Sequence, residues 1–328
     1  MDLSSFTEGD YIRTVDGLFF AVKGGRHSDR MVIAILRYVP DKSGDREWNG
    51  LRYRRVYDNE STTRFLEEHF PFYLNYIDWV RLRLQSVPKN RIAKVYKPVE
   101  YLQSILAYPK SPLMRNIADF VTLLSKESKV STAFFGVSGS VLIGLERDES
   151  DIDINVYGEA EGCRVYEALK RMRPISEVVS PYDAESVEPT LVSRWGDTGL
   201  DLEKLRDLEC RKLLHGLTLG VDYFIRLLVD EDESNSTPMD DVVVSATVSD
   251  ATHSIYTPCI YRVTDVSIEN GSDDRVITEL KSYRGKFTEQ VKTGDKVKAR
   301  GTIEKVVKNG CTYYRLILGK KGDYLVTV

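Results

Sequence analysis

Residues 151–156 read Asp-Ile-Asp-Ile-Asn-Val, and no other stretch restricts the fold as tightly. Side chains on a β-strand alternate between faces, so Ile152, Ile154 and Val156 point into a core while Asp151, Asp153 and Asn155 share the opposite face. Carboxylates normally stay on solvated loops and helix faces, and two held side by side repel unless a cation or a proton intervenes. A divalent metal resolves the conflict, because hard oxygen ligands on a rigid strand suit Mg²⁺ or Mn²⁺. An edge strand with an acidic solvent face gives the same alternation. The residues upstream weigh against that reading. Gly139 permits a close backbone approach, and Ser140 places a hydroxyl and an amide where a short helix opens, a position that favours phosphate. Phosphate beside paired metal ligands is the arrangement used in phosphoryl or nucleotidyl transfer.

The surrounding sequence predicts an α+β chain in several parts. Residues 1–58 form a β-rich unit: "YIRTVDGLFFAVKGG" and "RMVIAILRYVP" are strand-forming runs divided by the turn-like "GGRHSD". Lys23-Gly24-Gly25-Arg26 lacks the Lys-Ser/Thr and the helix of a phosphate-binding loop, so it reads as a hairpin turn. Residues 59–127 read as helical. Ser111-Pro112 is a helix start followed by Leu113, Ile117, Phe120, Val121 and Leu124 at helical spacing, and Pro71, Pro88 and Pro98 divide shorter helices before it. Residues 128–230 alternate strand and helix, with "DLEKLRDLECRKLLHG" read as one helix stopped by Gly216. Residues 231–241 are acidic and polar, as a linker is. Residues 242–328 carry short strands at barrel-like spacing.

Composition excludes several function classes. The 328 residues contain four cysteines (Cys163, Cys210, Cys259, Cys311) and four histidines (His27, His69, His215, His253), all far apart. They form neither a zinc site nor a disulfide framework, and serine or cysteine triad chemistry has no local support. No run approaches the roughly 18 apolar residues of a membrane span. The acidic, polar start "MDLSSFTEGDYIR" lacks a secretory layout, so the expected location is cytoplasmic. Charge is uneven: residues 131–235 hold 11 Lys/Arg against 22 Asp/Glu, and residues 275–328 hold 13 against 5. That asymmetry suggests an acidic, metal-binding centre and a basic tail for a phosphate-bearing partner, the alternative being charge runs that simply solvate the surface.

Gly139-Ser140, ten further residues and then Asp151-Ile152-Asp153-Ile154 resemble the core motif of the DNA polymerase β-like nucleotidyltransferase superfamily. The wider chain is similar to predicted archaeal nucleotidyltransferases with a β-rich N-terminal piece and a C-terminal extension resembling an OB fold. The resemblance implies that Gly139 and Ser140 contact a nucleoside triphosphate and that Asp151 and Asp153 bind the metals. It also implies a third carboxylate from a later strand. Asp222 in "GVDYFIRLL" has the right apolar flanks, and Glu177 in "ISEVVS" is the alternative. Arg226 shares the face of Asp222 by strand parity and is a candidate for phosphate or for the acid cluster.

The implied reaction moves a nucleoside monophosphate from a triphosphate to a hydroxyl acceptor. Lys296, Lys298 and Arg300 alternate with Val297, Ala299 and Gly301, and Tyr313 shares a side with Arg315. Basic and aromatic groups on a small barrel suit RNA or another nucleic acid as that acceptor, the alternatives being an ordinary β-domain packed on the catalytic unit and an acceptor that is another protein or a small hydroxylated molecule. The alternative is a catalytically inactive member of the fold that binds a nucleotide or RNA.

Overall fold

The computed structural model describes residues 5–56, 58–231, 233–269 and 275–328. These form an α+β protein of two compact units, one holding residues up to 78 and 82–156, the other 79–81, 157–229 and 233–328.

In the first unit the apolar run "FFAV" becomes strand β2 (Phe19–Val22), buried on both faces, between β1 (Tyr11–Thr14) and β3 (Met31–Pro40). The β2–β3 turn is closed by Glu8, which accepts hydrogen bonds from Gly24 N (2.7 Å) and Lys23 Nζ (2.5 Å). Strands β4 (Arg46–Trp48) and β5 (Leu51–Arg55) extend one edge of the sheet. Helix α1 (Asn59–His69), capped by Asp58, covers one face, where Phe20, Val22, Leu36 and Leu66 form a core.

The stretch 59–127 is helical only in part. After α1 come β6 (Leu74–Ile77), β7 (Leu82–Pro88) and β8 (Ile92–Tyr96). Strand β7 pairs with β3 and β6, and β8 pairs with β1. The prolines thus flank strands, because partners distant in sequence decide the conformation there. Gln85 fixes β7: its Oε1 accepts from Leu36 N (2.9 Å), and its Nε2 donates to Asn59 and Thr62 of α1.

Helices α2 (Pro98–Ala107) and α3 (Pro112–Ser128) follow. Helix α3 forms as its sequence predicts. Ser111 Oγ accepts from Met114 N at 3.2 Å, Pro112 occupies the first turn, and the five expected apolar residues are buried. Strand β9 (Phe135–Val137), the short helix α4 (Gly139–Ile143) and β10 (Ile152–Tyr157) complete the unit. Strands β9 and β10 are antiparallel, with Ile154 opposite Val137.

The second unit begins with α5 (Glu159–Met172), β11 (Val179–Ser180), α6 (Glu188–Trp195) and α7 (Leu202–Arg211). Helix α7 stops five residues before Gly216, which lies instead in strand β12 (His215–Thr218). Arg173 accounts for the early end: its guanidinium donates to the carbonyls of Lys212 (2.7 Å) and His215 (3.0 Å), which a continuing helix would have used. Strand β13 (Val221–Leu228) pairs antiparallel with β12.

Strand β14 (Asn235–Asp250) starts inside the stretch read as a linker, bulging between Pro238 and Asp241. After β15 (Tyr256–Thr257) come β16 (Cys259–Ile268), β17 (Ile277–Ser282), β18 (Lys296–Lys308), β19 (Cys311–Leu318) and β20 (Tyr324–Thr327). Pairing runs β14–β16–β17–β19–β18 and returns from β18 to β14, so five strands close on themselves, with β17 and β19 parallel. Their core includes Leu191 and Trp195 of α6 and Leu205 of α7. Beside it Glu209, wholly buried, accepts from Lys212 (2.7 Å), Arg194 (2.9 Å) and Trp195 Nε1 (2.9 Å).

Candidate functional site

Ile152, Ile154 and Val156 have no exposure, as their strand parity requires. On the other face burial deepens along the strand: Asp151 is exposed just before β10, Asp153 is half-buried and Asn155 is fully buried opposite Gly136. An acidic solvent face would have left all three exposed. Burial along this face therefore increases from Asp151 through Asp153 to Asn155.

Asp153 is fixed against the Gly-Ser turn. Ser138 N donates to the Asp153 carbonyl at 2.9 Å, and Ser138 Oγ donates to Gly9 O at 3.4 Å. Gly139 has φ +64°, and a Cβ there would lie 2.0 Å from Asp153 Oδ2. The Asp153 carboxylate occupies the space that any other residue at 139 would fill. Only glycine satisfies both the left-handed backbone and that contact. Ser140 is buried, its carbonyl accepting from Leu145 N (3.0 Å), and Gly144 ends the helix at φ +71°.

Leu142, Ile143 and Leu145 pack on the face of the sheet that carries Tyr11, Phe19, Tyr38, Tyr53 and Tyr96. Arg46 Nη1 donates to Leu145 O at 2.5 Å, and Arg147 pairs with Asp45 at 2.6 Å. Burial pushes the Tyr38 phenol above its ordinary range, with Tyr11 and, less strongly, Asp153 acting in the same direction. Asp10 is buried beside Gly9 and holds Lys97 Nζ at 2.6 Å; burial outweighs that partner and raises its carboxyl. Tyr38 and the Asp10–Lys97 pair carry no motif, and topology alone brings them to the turn.

Asp222 and Arg226 belong to the second unit. Asp222 is exposed on β13, opposite Leu217, with its carboxylate at the Tyr182 hydroxyl. Burial first, and then that carboxylate, drives the Tyr182 phenol upward. Arg226 is half-buried on the same strand. Glu177 is exposed in a bend two residues before β11, outside any strand.

Among the described residues no three His, Cys, Asp or Glu side chains converge as a ready-made metal cage. Asp151 and Asp153 still fit Mg²⁺, because that ion keeps waters and substrate phosphates as ligands and takes only one or two carboxylates from the protein. The glycine cradle under Asp153 fits the same use, since it leaves that carboxylate beside the turn with no side chain between.

The basic C-terminal segment differs from its sequence reading. Arg315 does not face a partner: it is buried, with Nε and Nη2 both 2.8 Å from Glu304 and Nη1 3.8 Å from Glu279. Lys281 and Lys286 are also buried, and Lys320 pairs with Asp241 at 2.6 Å. Arg315 and Lys320 thus neutralise neighbouring acids. Lys296 and Arg300 are exposed as expected, and Lys298 is half-exposed and bridged to Glu269 at 2.8 Å.

The chain is 26% identical to an uncharacterized protein of the archaeon Methanocaldococcus jannaschii, MJ1086, over 327 residues that cover 94% of each chain. No family model matches the sequence, and no solved structure matches it. Among the described residues no helix is long and apolar enough to cross a membrane.

Proposed function

We propose that the chain is a metal-dependent nucleotidyltransferase, a reading carried by the Asp153 carboxylate lying directly on Gly139. The resemblance of residues 139–154 to the polymerase β-like motif rests on spacing. The contact adds that the glycine and the second aspartate meet. Asp151 and Asp153 would hold Mg²⁺, which supplies charge neutralisation for the triphosphate and acidifies the attacking hydroxyl. The Gly139–Ser140 turn orients the phosphates, and the buried β9–β10 pair keeps that turn from moving. The acceptor hydroxyl gives up its proton to solvent and its oxygen bonds to the α-phosphorus, the bond from that phosphorus to the oxygen bridging it to the β-phosphate breaks, and pyrophosphate leaves. Asp222, Glu177 and Arg226 enter by resemblance and strand parity only, and Asp222→Asn and Glu177→Gln assayed in parallel decide the third carboxylate.

The closed five-stranded barrel resembles an OB fold, which supports a nucleic-acid acceptor. On its outer surface Lys296, Lys298 and Arg300 alternate along β18, and Tyr324 of β20 is paired with Arg300. RNA is the first acceptor to try.

The test is calorimetric titration of each nucleoside triphosphate with Mg²⁺, followed by a pyrophosphate-release assay. Wild type should bind and turn over at least one nucleotide, and Asp151→Asn/Asp153→Asn should do neither. Nucleotide or RNA binding that persists in the double variant, without turnover in wild type, would replace this reading with that of a non-catalytic binding protein.

A further inference from the structure

Strand β4 and the residue before it reach the segment that joins the Gly139–Ser140 turn to the paired acids. The contacts follow one another along both chains. The Cβ position of Gly144 lies 3.6 Å from Trp48 Cδ1. Arg46 Nη1 donates to Leu145 O at 2.5 Å, just past the end of α4, and Asp45 accepts from Arg147 at 2.6 Å. Arg147 in its turn closes the last bend before the acids: its N–H donates to Ser150 Oγ at 2.8 Å, and its carbonyl accepts from Ser150 N at 3.0 Å. Asp151 is the next residue.

Strand β4 is itself fixed. Gly44 lies so close to β5 that a Cβ there would stand 2.2 Å from Tyr53 O, and its carbonyl accepts from Arg52 Nε at 2.8 Å. Arg46 is the costly member of the set. It is only 8% exposed, and its guanidinium donates to a backbone carbonyl rather than to a carboxylate. A buried cation is expensive, so an interior that needed only packing would be better served by an apolar side chain. The guanidinium also stands 5.8 Å from the centre of the Tyr38 ring, the tyrosine on which Asp153 acts. One side chain thus refers to both halves of the candidate site, the end of α4 and the surroundings of Asp153.

We infer that Arg46 is a positioning residue: from β4 it fixes the spacing between the Gly139–Ser140 turn and Asp151 and Asp153, acting through Leu145 O and not by touching substrate. The inference rests on the nucleotidyltransferase reading above. The test is steady-state pyrophosphate release with Mg²⁺, on the full chain and well below its melting temperature. Arg46→Met keeps an unbranched stem in the interior and removes the donor. It should lower kcat about tenfold or more, as expected when a reacting constellation is displaced by a fraction of an ångström. The nucleotide KM should stay near that of wild type, because the loss falls on the transition state. Arg46→Lys, which can still donate to Leu145 O, should recover most of the rate. Leu66→Val, in α1 on the other face of the sheet, should lower the melting temperature and keep the wild-type kcat. Hydrogen exchange at Leu145 N, bonded to Ser140 O at 3.0 Å, should quicken in Arg46→Met and not in Leu66→Val. A wild-type kcat in Arg46→Met, or an equal loss in Leu66→Val, would overturn the assignment and leave the nucleotidyltransferase reading intact. Wild type that releases no pyrophosphate from any nucleotide would overturn both.

Discussion

Replacing Gly139 by alanine tests the contact on which the functional reading depends. Two costs can be separated. The backbone at φ +64° carries a left-handed penalty of roughly 1–2 kcal/mol for any residue with a Cβ. The new Cβ would also stand 2.0 Å from Asp153 Oδ2, and reaching an ordinary carbon–oxygen contact of about 3.3 Å requires a shift of about 1.3 Å. Misplacement by about 1 Å in a reacting constellation costs on the order of 100-fold in rate. Gly50 supplies the control: its φ is +76°, and nothing lies within 4 Å of its Cβ position. Gly50→Ala should carry the backbone penalty alone, lowering the melting temperature by roughly 2–8 °C and leaving Mg²⁺-nucleotide binding and pyrophosphate release unchanged. Gly139→Ala should melt at least as early and lose about 100-fold or more in release. Equal activity in the two variants would refute the argument, because Asp153 would then have no required position relative to the turn.

Removing the Glu209 carboxylate with Glu209→Ala leaves buried Lys212 without its 2.7 Å partner, and urea unfolding should show a loss of about 3–5 kcal/mol. The same cluster sets an acid dependence. Burial alone would raise Glu209, but Lys212 and Arg194 outweigh it and hold the carboxyl down at about 2 against an ordinary 4.5, so its stabilisation is complete above pH ~4.5 and lost as pH falls from there toward 2. His215, kept neutral chiefly by burial, begins the loss earlier: as pH falls through about 6.5 the unfolded chain takes up a proton that the folded chain refuses. Urea midpoints between pH 8 and 2 should therefore decline in two stages, and His215→Gln should remove the first. Arg315→Ala should destabilise the protein, since it strands buried Glu304 and Glu279, without changing the salt dependence of RNA binding. Lys296→Ala/Arg300→Ala should do the reverse, lowering the salt slope by about 1.8 for two phosphate contacts in duplex terms.

What was legible in the sequence was local. Helix α3 carries its own cap, proline and apolar stripe, and α4 and β10 are written in the Gly-Ser and Ile-Asp-Ile spacing. Strands β7 and β8 were not legible, because their partners β3 and β1 lie about 55 and about 80 residues earlier and decide the conformation through pairing. Strand β12 looked like the end of a helix until Arg173, far upstream, took its carbonyls. At the candidate site, parity put Asn155 with the acids but gave no sign that burial deepens along that face. The Asp153–Gly139 contact was implied only as adjacency in a motif. Arg315 was misleading because alternation shows which side a residue faces, not whether acids on neighbouring strands already claim it.

The shared core of α6, α7 and the barrel also bears on how the protein is made. Tyr182, Leu191 and Trp195 belong to the same apolar cluster as Phe287, Leu316 and Leu325, residues more than 90 positions later. During synthesis the second unit therefore has no completed interior until its last strands have emerged, and α6 and α7 must wait with their apolar faces open. Translation that stalls or terminates before those strands should leave the apolar faces of α6 and α7 exposed and prone to aggregation, which is where a chaperone would be needed.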